Sequence, residues 1–267
     1  MLNIFLEHIF EGCGQEGISF GAGLERALSF GVRGLECDLW RLDEQVCDEI
    51  RESGMQVRSV YHMYDLGHGD ADEIKRQYEH HIDTALKTGA KCIMPLPGFI
   101  EDGDDRERTQ NLMLTRMSVI CKAAVSAGLT PVLEDYDDSK APYSTIRGLG
   151  YFLDNVQGLG CCFDTGNFFY SDEDETDALM QLAGYTKHVH LKDRSTDKTD
   201  GEEKDALSGR PMYPCAVGNG VIKIGDIVSA LTDFGYMGDY SIEHFGAPRQ
   251  FEYMKKSAEY VKGLGVS

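Results

Sequence analysis

Short apolar runs alternate with longer amphipathic stretches from one end of this chain to the other, and that alternation limits the fold more than any other feature. The runs NIFLEH, GLECDL, QVRSVYHMY, KCIMPLP, TPVLEDY, GCCFDTG, HVHLKD and DYSIEHF read as strands. Between them lie the helical patterns GLERALSFG, LDEQVCDEIRESG, ADEIKRQYEHHIDTALKTG, TRMSVICKAAVSAG, IGDIVSALTDFG and QFEYMKKSAEYVKGLG. Most of these close on a glycine shortly before the next strand, where a helix C-terminus turns into the left-handed region. Strand then helix, repeated about eight times in 267 residues, predicts parallel βαβ units closed into a single (β/α)8 barrel domain spanning residues 1–267. An open doubly wound sheet is the competitor. It would carry a GxGxxG turn after its first strand, and EGCGQEG fits that pattern poorly.

The polar residues of these strands gather at one end. Glu7 and His8, Glu36 and Asp38, His62, Glu134 and Asp135, Asp164, His190 and Lys192, and Glu243 and His244 all fall at or near the C-terminal ends of their runs. Barrel enzymes build their sites at that end. In HVHLKD the period of two puts His188, His190 and Lys192 on one face and Val189, Leu191 and Asp193 on the other. A strand face made entirely of ionisable groups is expected to meet a metal, a substrate or water.

The last four strands each offer one ligand: Glu134, Asp164, His190 and Glu243. Closing a barrel brings such strand ends together, so residues far apart in sequence converge. Three carboxylates and one imidazole suit one divalent ion. The oxygen-rich set favours Mn²⁺ first or Mg²⁺, with Co²⁺ or Zn²⁺ as alternatives. Lys192, beyond the histidine ligand, is expected at the mouth, near a substrate oxygen. His188 lies deeper, as a packed histidine or a substrate contact. His62 is expected to bond a substrate oxygen, and Trp40 and Phe10 to lie near the mouth, where an aromatic face packs on the C–H face of a ligand.

Composition narrows the partners. A net charge of −19 repels phosphate backbones and anionic bilayers, which excludes nucleic acid and membrane surfaces as expected partners. No apolar run approaches the length of a membrane helix, and the start MLNIFLEHIFEGCG has no basic n-region. The expectation is a cytoplasmic protein. The eight cysteines are scattered with no CxxC pair, so reduced, packed thiols are expected rather than zinc-finger ligands. Residues 194–220 form one long polar interruption, expected to be a lid or the contact of a homo-oligomer.

From VLEDYD to the C-terminus, the run of motifs CFDTGN, HVHLKD and VGNGVIKIGDIVSALTDFGYMGDYSIEHFG resembles the sugar isomerase/epimerase superfamily with a xylose-isomerase-like barrel. The first half matches only in pattern. The resemblance implies metal ligation by Glu134, Asp164, His190 and Glu243, the same four reached from strand ends, with Glu134 and Glu243 also moving the substrate proton. One departure stands out. Many members read Asp-x-x-His after the sixth strand, and here Asp164 is followed at that spacing by Asn167, which hydrogen-bonds a hydroxyl but does not titrate. The implied activity is a metal-dependent isomerisation or epimerisation of a small sugar or polyol through an enediolate. The alternative is an inosose-type dehydratase on the same scaffold. A relative of abasic-site endonucleases is a third reading, opposed by the negative charge and by the absence of extra histidine ligands.

Overall fold

The computed structural model describes residues 1–266. Ten strands occur: β1 (Leu2–Phe5), β2 (Gly34–Asp38), β3 (Gln56–Met63), β4 (Cys92–Leu96), β5 (Thr130–Leu133), β6 (Gly160–Asp164), β7 (Thr186–Ser195), β8 (Lys204–Asp205), β9 (Pro211–Cys215) and β10 (Tyr240–Glu243). Strands β1 to β7 pair in parallel, each with its successor. The ring closes because β10 pairs with both β7 and β1, setting Glu243 opposite Lys192 and Ile242 opposite Ile4. This is the expected (β/α)8 barrel.

Among the described residues ten α-helices surround or cap it: α1 (Leu6–Glu16), α2 (Phe20–Ser29), α3 (Glu44–Ser53), α4 (Ala71–Thr88), α5 (Arg106–Ser126), α6 (Ile146–Asn155), α7 (Asn167–Tyr170), α8 (Glu175–Leu182), α9 (Ile224–Asp233) and α10 (Gln250–Gly263). Aspartates begin several of them: Asp43, Asp70, Asp105 and Asp174 each accept a backbone N–H of the first turn, which satisfies donors that a helix start otherwise leaves unpaired. The side chains between the sheet and these helices, such as Leu35, Val60, Ile93, Val189 and Leu191, are fully buried and form one continuous apolar shell.

The structure departs from the sequence expectation in three places. NIFLEH is a strand only to Phe5, after which the chain passes directly into α1, so Glu7 and His8 are helical. Gly12 and Gly14 weaken the helical signal there, but Gly12 is a packing residue. A Cβ on it would stand 2.8 Å from the Phe251 ring of α10. Helices α6, α7 and α8 also appear where the sequence predicts none. The first contains Gly148 and Gly150, and the other two are only 4 and 8 residues long, too short for a clear period. Finally, the interruption at 194–220 is not a bare loop. Strand β7 runs on to Ser195 and pairs antiparallel with β9, which in turn pairs with β8, making a ribbon over the barrel mouth.

All eight cysteines are free thiols, and seven of them are buried. Among the described residues no helix is long and apolar enough to cross a membrane.

Candidate metal centre

Inside the barrel, alternate residues of each strand point to the axis. The lower layer is polar: Asn3, Glu36, Ser59, His188 and Ser241 are all buried. Glu36 accepts hydrogen bonds from Ser59 Oγ at 3.0 Å and from His188 Nε2 at 2.8 Å, and His188 Nε2 also lies 3.1 Å from Ser241 Oγ. Above this layer, at the C-terminal ends of the strands, opens a cavity of about 590 Å³.

Glu134 and Glu243 line that cavity and Asp164 and His190 converge with them just beneath it, one ligand atom from each lying within 4.8 Å of all the others. His190 Nδ1 is 2.9 Å from Glu134 Oε2, 3.3 Å from Glu243 Oε2 and 3.7 Å from Asp164 Oδ2. Asp164 shows best what the arrangement is built for. Its Oδ1 accepts the backbone N–H groups of Gly166 and Asn167 at 2.7 and 2.8 Å, which fixes the turn. Its Oδ2 is buried without any hydrogen-bond partner and faces the other three groups. A buried carboxylate oxygen without a hydrogen bond among two carboxylates and an imidazole is costly unless cations meet it, and the Lys192 ammonium stands 4.0 Å off, beyond hydrogen-bond reach. These residues fit a divalent ion.

The motifs around the floor now have physical roles. In CFDTGN, Thr165 Oγ1 donates to the Lys192 carbonyl at 2.8 Å and accepts the Lys192 N–H at 2.9 Å, clamping the β6 turn onto β7. Gly166 is needed by closeness: a Cβ would lie 2.8 Å from the Lys192 carbonyl oxygen. Asn167 spends its Nδ2 on the Asp135 carbonyl at 2.7 Å, leaving a buried Oδ1 without a partner beside the cavity. In HVHLKD, Asp193 points away from the axis. Its two oxygens accept backbone N–H groups of Arg194, Gly218, Gly220 and Ile222 at 2.9 to 3.2 Å, which pins the VGNGVI turn under the ribbon.

Charge is unevenly distributed. Burial pushes the Glu134 carboxyl up to about 7, against the pull of His190. Burial also opposes ionisation of Glu243, but the Lys192 ammonium and His190 outweigh it and hold that carboxyl well below its ordinary range. Lys192 pairs with Glu243 and stands 3.8 Å from Asp137 and 4.0 Å from Asp164. These carboxylates overcome its burial and keep it charged. From the protein's own charges, then, one glutamate of the floor is readily protonated at neutral pH and the other is not. Two carboxyls pushed apart in this way can share acid and base work.

Not every expected residue reaches the cavity. Lys192 and Asn167 line it, and His188 lies beneath it in the polar layer. His62 does not line it. On β3, Ser59 meets Glu36 and Tyr61 and Met63 line the cavity, so the alternation sends His62 outward, where its ring packs against Tyr64 at 4.5 Å and Trp40 at 5.6 Å. Trp40 is 61% exposed on the far side of that contact, and Phe10 stacks on Phe20 at 4.6 Å between α1 and α2. The structure adds lining residues that the sequence reading passed over, among them Phe5, Tyr61, Tyr136, Asp137 and Arg194. Glu202, Glu203 and Lys204 reach the cavity from the ribbon, so the 194–220 segment supplies one of its walls. Asp137 anchors that wall through Arg194 at 2.8 Å and Lys204 at 3.0 Å.

The family model described as xylose isomerase-like TIM barrel matches residues 24–264. The chain belongs to that family. A curated relative, an inosose dehydratase of Geobacillus thermodenitrificans, is 22% identical over 230 residues, covering 78% of this chain and 76% of its own length. Among solved structures, the probable 3-DHS dehydratase AsbF of Bacillus anthracis superposes with a TM-score of 0.76 at 16% identity over 98% of both chains. A D-allulose 3-epimerase from Methylomonas sp. gives 0.76 at 13% over 98% of this chain and 97% of its own. A xylose isomerase-like TIM barrel protein from Mycobacterium smegmatis in complex with magnesium gives 0.70 at 18%, over 92% and 87%. At these identities the solved structures speak for the fold alone.

Proposed function

We propose that this protein is a metal-dependent isomerase or epimerase that moves a proton beside the carbonyl of a small sugar or polyol. The observation that carries the reading is the convergence of Glu134, Asp164, His190 and Glu243 at the base of a central cavity, with the buried Asp164 Oδ2 lacking a hydrogen-bond partner. These four residues would hold one divalent ion, Mn²⁺ or Mg²⁺ by the preference of an oxygen-rich set, with Co²⁺ or Zn²⁺ as alternatives. When bound, such an ion supplies positive charge where an enediolate develops. The chain's own groups do the rest. Glu134 and Glu243, on either side of the reacting carbon, pass its proton as base and acid and exchange those roles in the reverse direction. Asn167 Oδ1 accepts a substrate hydroxyl, and Lys192 lies where it meets a substrate oxygen. The ribbon wall at Glu202–Lys204 limits the length of substrate and the access of water.

A second reading is supported by the inosose dehydratase relative: the same proton abstraction from a cyclic polyol ketone, followed by loss of the adjacent hydroxyl instead of reprotonation. The test is incubation with ketoses and inososes in D₂O. Isomerisation or epimerisation places deuterium on the carbon beside the carbonyl of a product with all its oxygens, and dehydration yields a product lacking one water. Glu134→Gln and Glu243→Gln keep the shape but lose proton transfer, so each should slow turnover by about 10²–10⁴-fold. A Gln variant that retains its metal and exchanges deuterium normally would remove that glutamate from the acid–base pair.

A further inference from the structure

Glu36 is a carboxylate in the interior of the barrel, fully buried below the cavity and absent from its lining. It takes no part in the chemistry assigned above. Its surroundings are specific. Oε1 accepts from Ser59 Oγ at 3.0 Å, while Oε2 lies 2.8 Å from His188 Nε2 and 3.1 Å from His190 Nε2. Strand pairing sets these distances, because Glu36 on β2 is opposite Ser59 on β3, and His188 and His190 project from β7 across the barrel.

An ionised carboxylate only accepts hydrogen bonds. Both histidines therefore present an N–H at Nε2 to the same oxygen. For His190 the bond at Nε2 leaves Nδ1 to the site: Nδ1 faces Glu134, Glu243 and Asp164, and with an ion bound among them Nδ1 presents its lone pair while Nε2 carries the proton. The ring is held on its lower edge by Glu36 and offers its upper edge to the site. His188 shares the oxygen and is tied in turn to Ser241 Oγ at 3.1 Å, so the carboxylate cannot swing toward one ring without breaking its bond to the other.

We infer that Glu36 is the positioning residue of the metal centre, fixing the Nδ1 lone pair of His190 toward the ion through the hydrogen bond at Nε2. The inference rests on the proposed four-ligand metal reading. A carboxylate behind a histidine ligand orients the ring and raises its basicity, and loss of such a partner typically weakens metal binding by about 10–100-fold. His188 and Ser59 keep the carboxylate in place.

Two measurements test it. The first needs no variant: in ¹⁵N-histidine-labelled wild-type protein loaded with zinc, His190 should be the Nε2–H tautomer, its Nδ1 resonance shifted by zinc while Nε2 keeps its proton. An Nδ1–H tautomer would overturn the inference. The second is zinc affinity by chelator competition, together with the visible spectrum of the cobalt-loaded protein, for wild type, Glu36→Gln and Ser59→Ala. Glu36→Gln should bind zinc about 10–100-fold more weakly and alter the cobalt spectrum. Ser59→Ala, which keeps both bonds to the histidines, should lose thermal stability but retain the wild-type spectrum. Equal zinc affinity and an unchanged cobalt spectrum in Glu36→Gln would overturn this inference alone. Wild-type protein that takes up no divalent ion would overturn the metal reading and this inference with it.

Discussion

Replacing Asp193 with Asn tests whether the ribbon and the VGNGVI turn depend on one carboxylate. Asp193 is 2% exposed and accepts four backbone N–H groups, from Arg194 and Ile222 on Oδ1 and from Gly218 and Gly220 on Oδ2. An asparagine has one acceptor oxygen, so either orientation of its amide leaves two of these donors facing an NH₂ group. Each buried donor left unpaired costs on the order of 1–3 kcal/mol. The two at Gly218 and Gly220 are partly buried, which places the sum at about 2–4 kcal/mol. For a chain of this size that corresponds to a fall in Tm of roughly 5–15 °C. The turn sits close against this carboxylate, since a Cβ at Gly220 would overlap Asp193 Oδ1 and the Arg194 carbonyl oxygen. Calorimetry reads the Tm, and amide exchange at Gly218, Gly220 and Ile222 reads the local effect. An unchanged Tm with those amides still protected would refute the role given to Asp193.

Further predictions concern acid stability, packing and side-chain direction. His81 accepts from Tyr64 OH and donates to the Val60 carbonyl, both at 2.9 Å, and burial lowers its pKa from 6.5 to about 3. A folded-state value below the unfolded one means that its contribution is complete above pH 6.5 and is lost as the pH falls toward 3. The slope is about 1.4 kcal/mol per pH unit, so the stability difference between wild type and His81→Gln should shrink on acidification in urea titrations; a constant difference would refute this. Gly166→Ala keeps an allowed backbone, with φ at −112°, but drives a Cβ to 2.8 Å from the Lys192 carbonyl oxygen. It should cost about 1–3 kcal/mol of stability and lower kcat, since Lys192 must move. His62→Gln should leave kcat/KM close to wild type while Tyr61→Phe lowers it; the reverse order would mean that β3 presents the opposite face to the cavity.

Much of this architecture can be read from the chain because its layers differ chemically. Strand-length apolar runs spaced by amphipathic helices have few ways to bury both faces, and a barrel is one of them. The four floor residues are legible because each is a ligand type ending a strand. His62 shows where residue type misleads. It ends a strand as the others do, but the period of two sends Tyr61 inward and His62 out. Trp40 follows it, since the two rings pack together. Glu36 reads from sequence as one more strand-end carboxylate. Its place below the cavity, within reach of two histidines more than 150 positions away, depends on strand stagger that only the closed barrel defines. The ribbon is hard to read from sequence because PMYPC carries two prolines, which argue against a strand paired on both sides, yet β9 pairs with β7 and with β8 over short stretches.

The central claim is that one divalent ion is held by Glu134, Asp164, His190 and Glu243. The direct measurement is elemental analysis of wild type, Asp164→Ala and His190→Ala after manganese loading and exhaustive dialysis, with circular dichroism on the same samples. The account predicts about one ion per wild-type chain and loss of the ion from both variants while the barrel stays folded. Full occupancy in both folded variants would contradict the ligand assignment, and wild type without any divalent ion would contradict the metal centre itself.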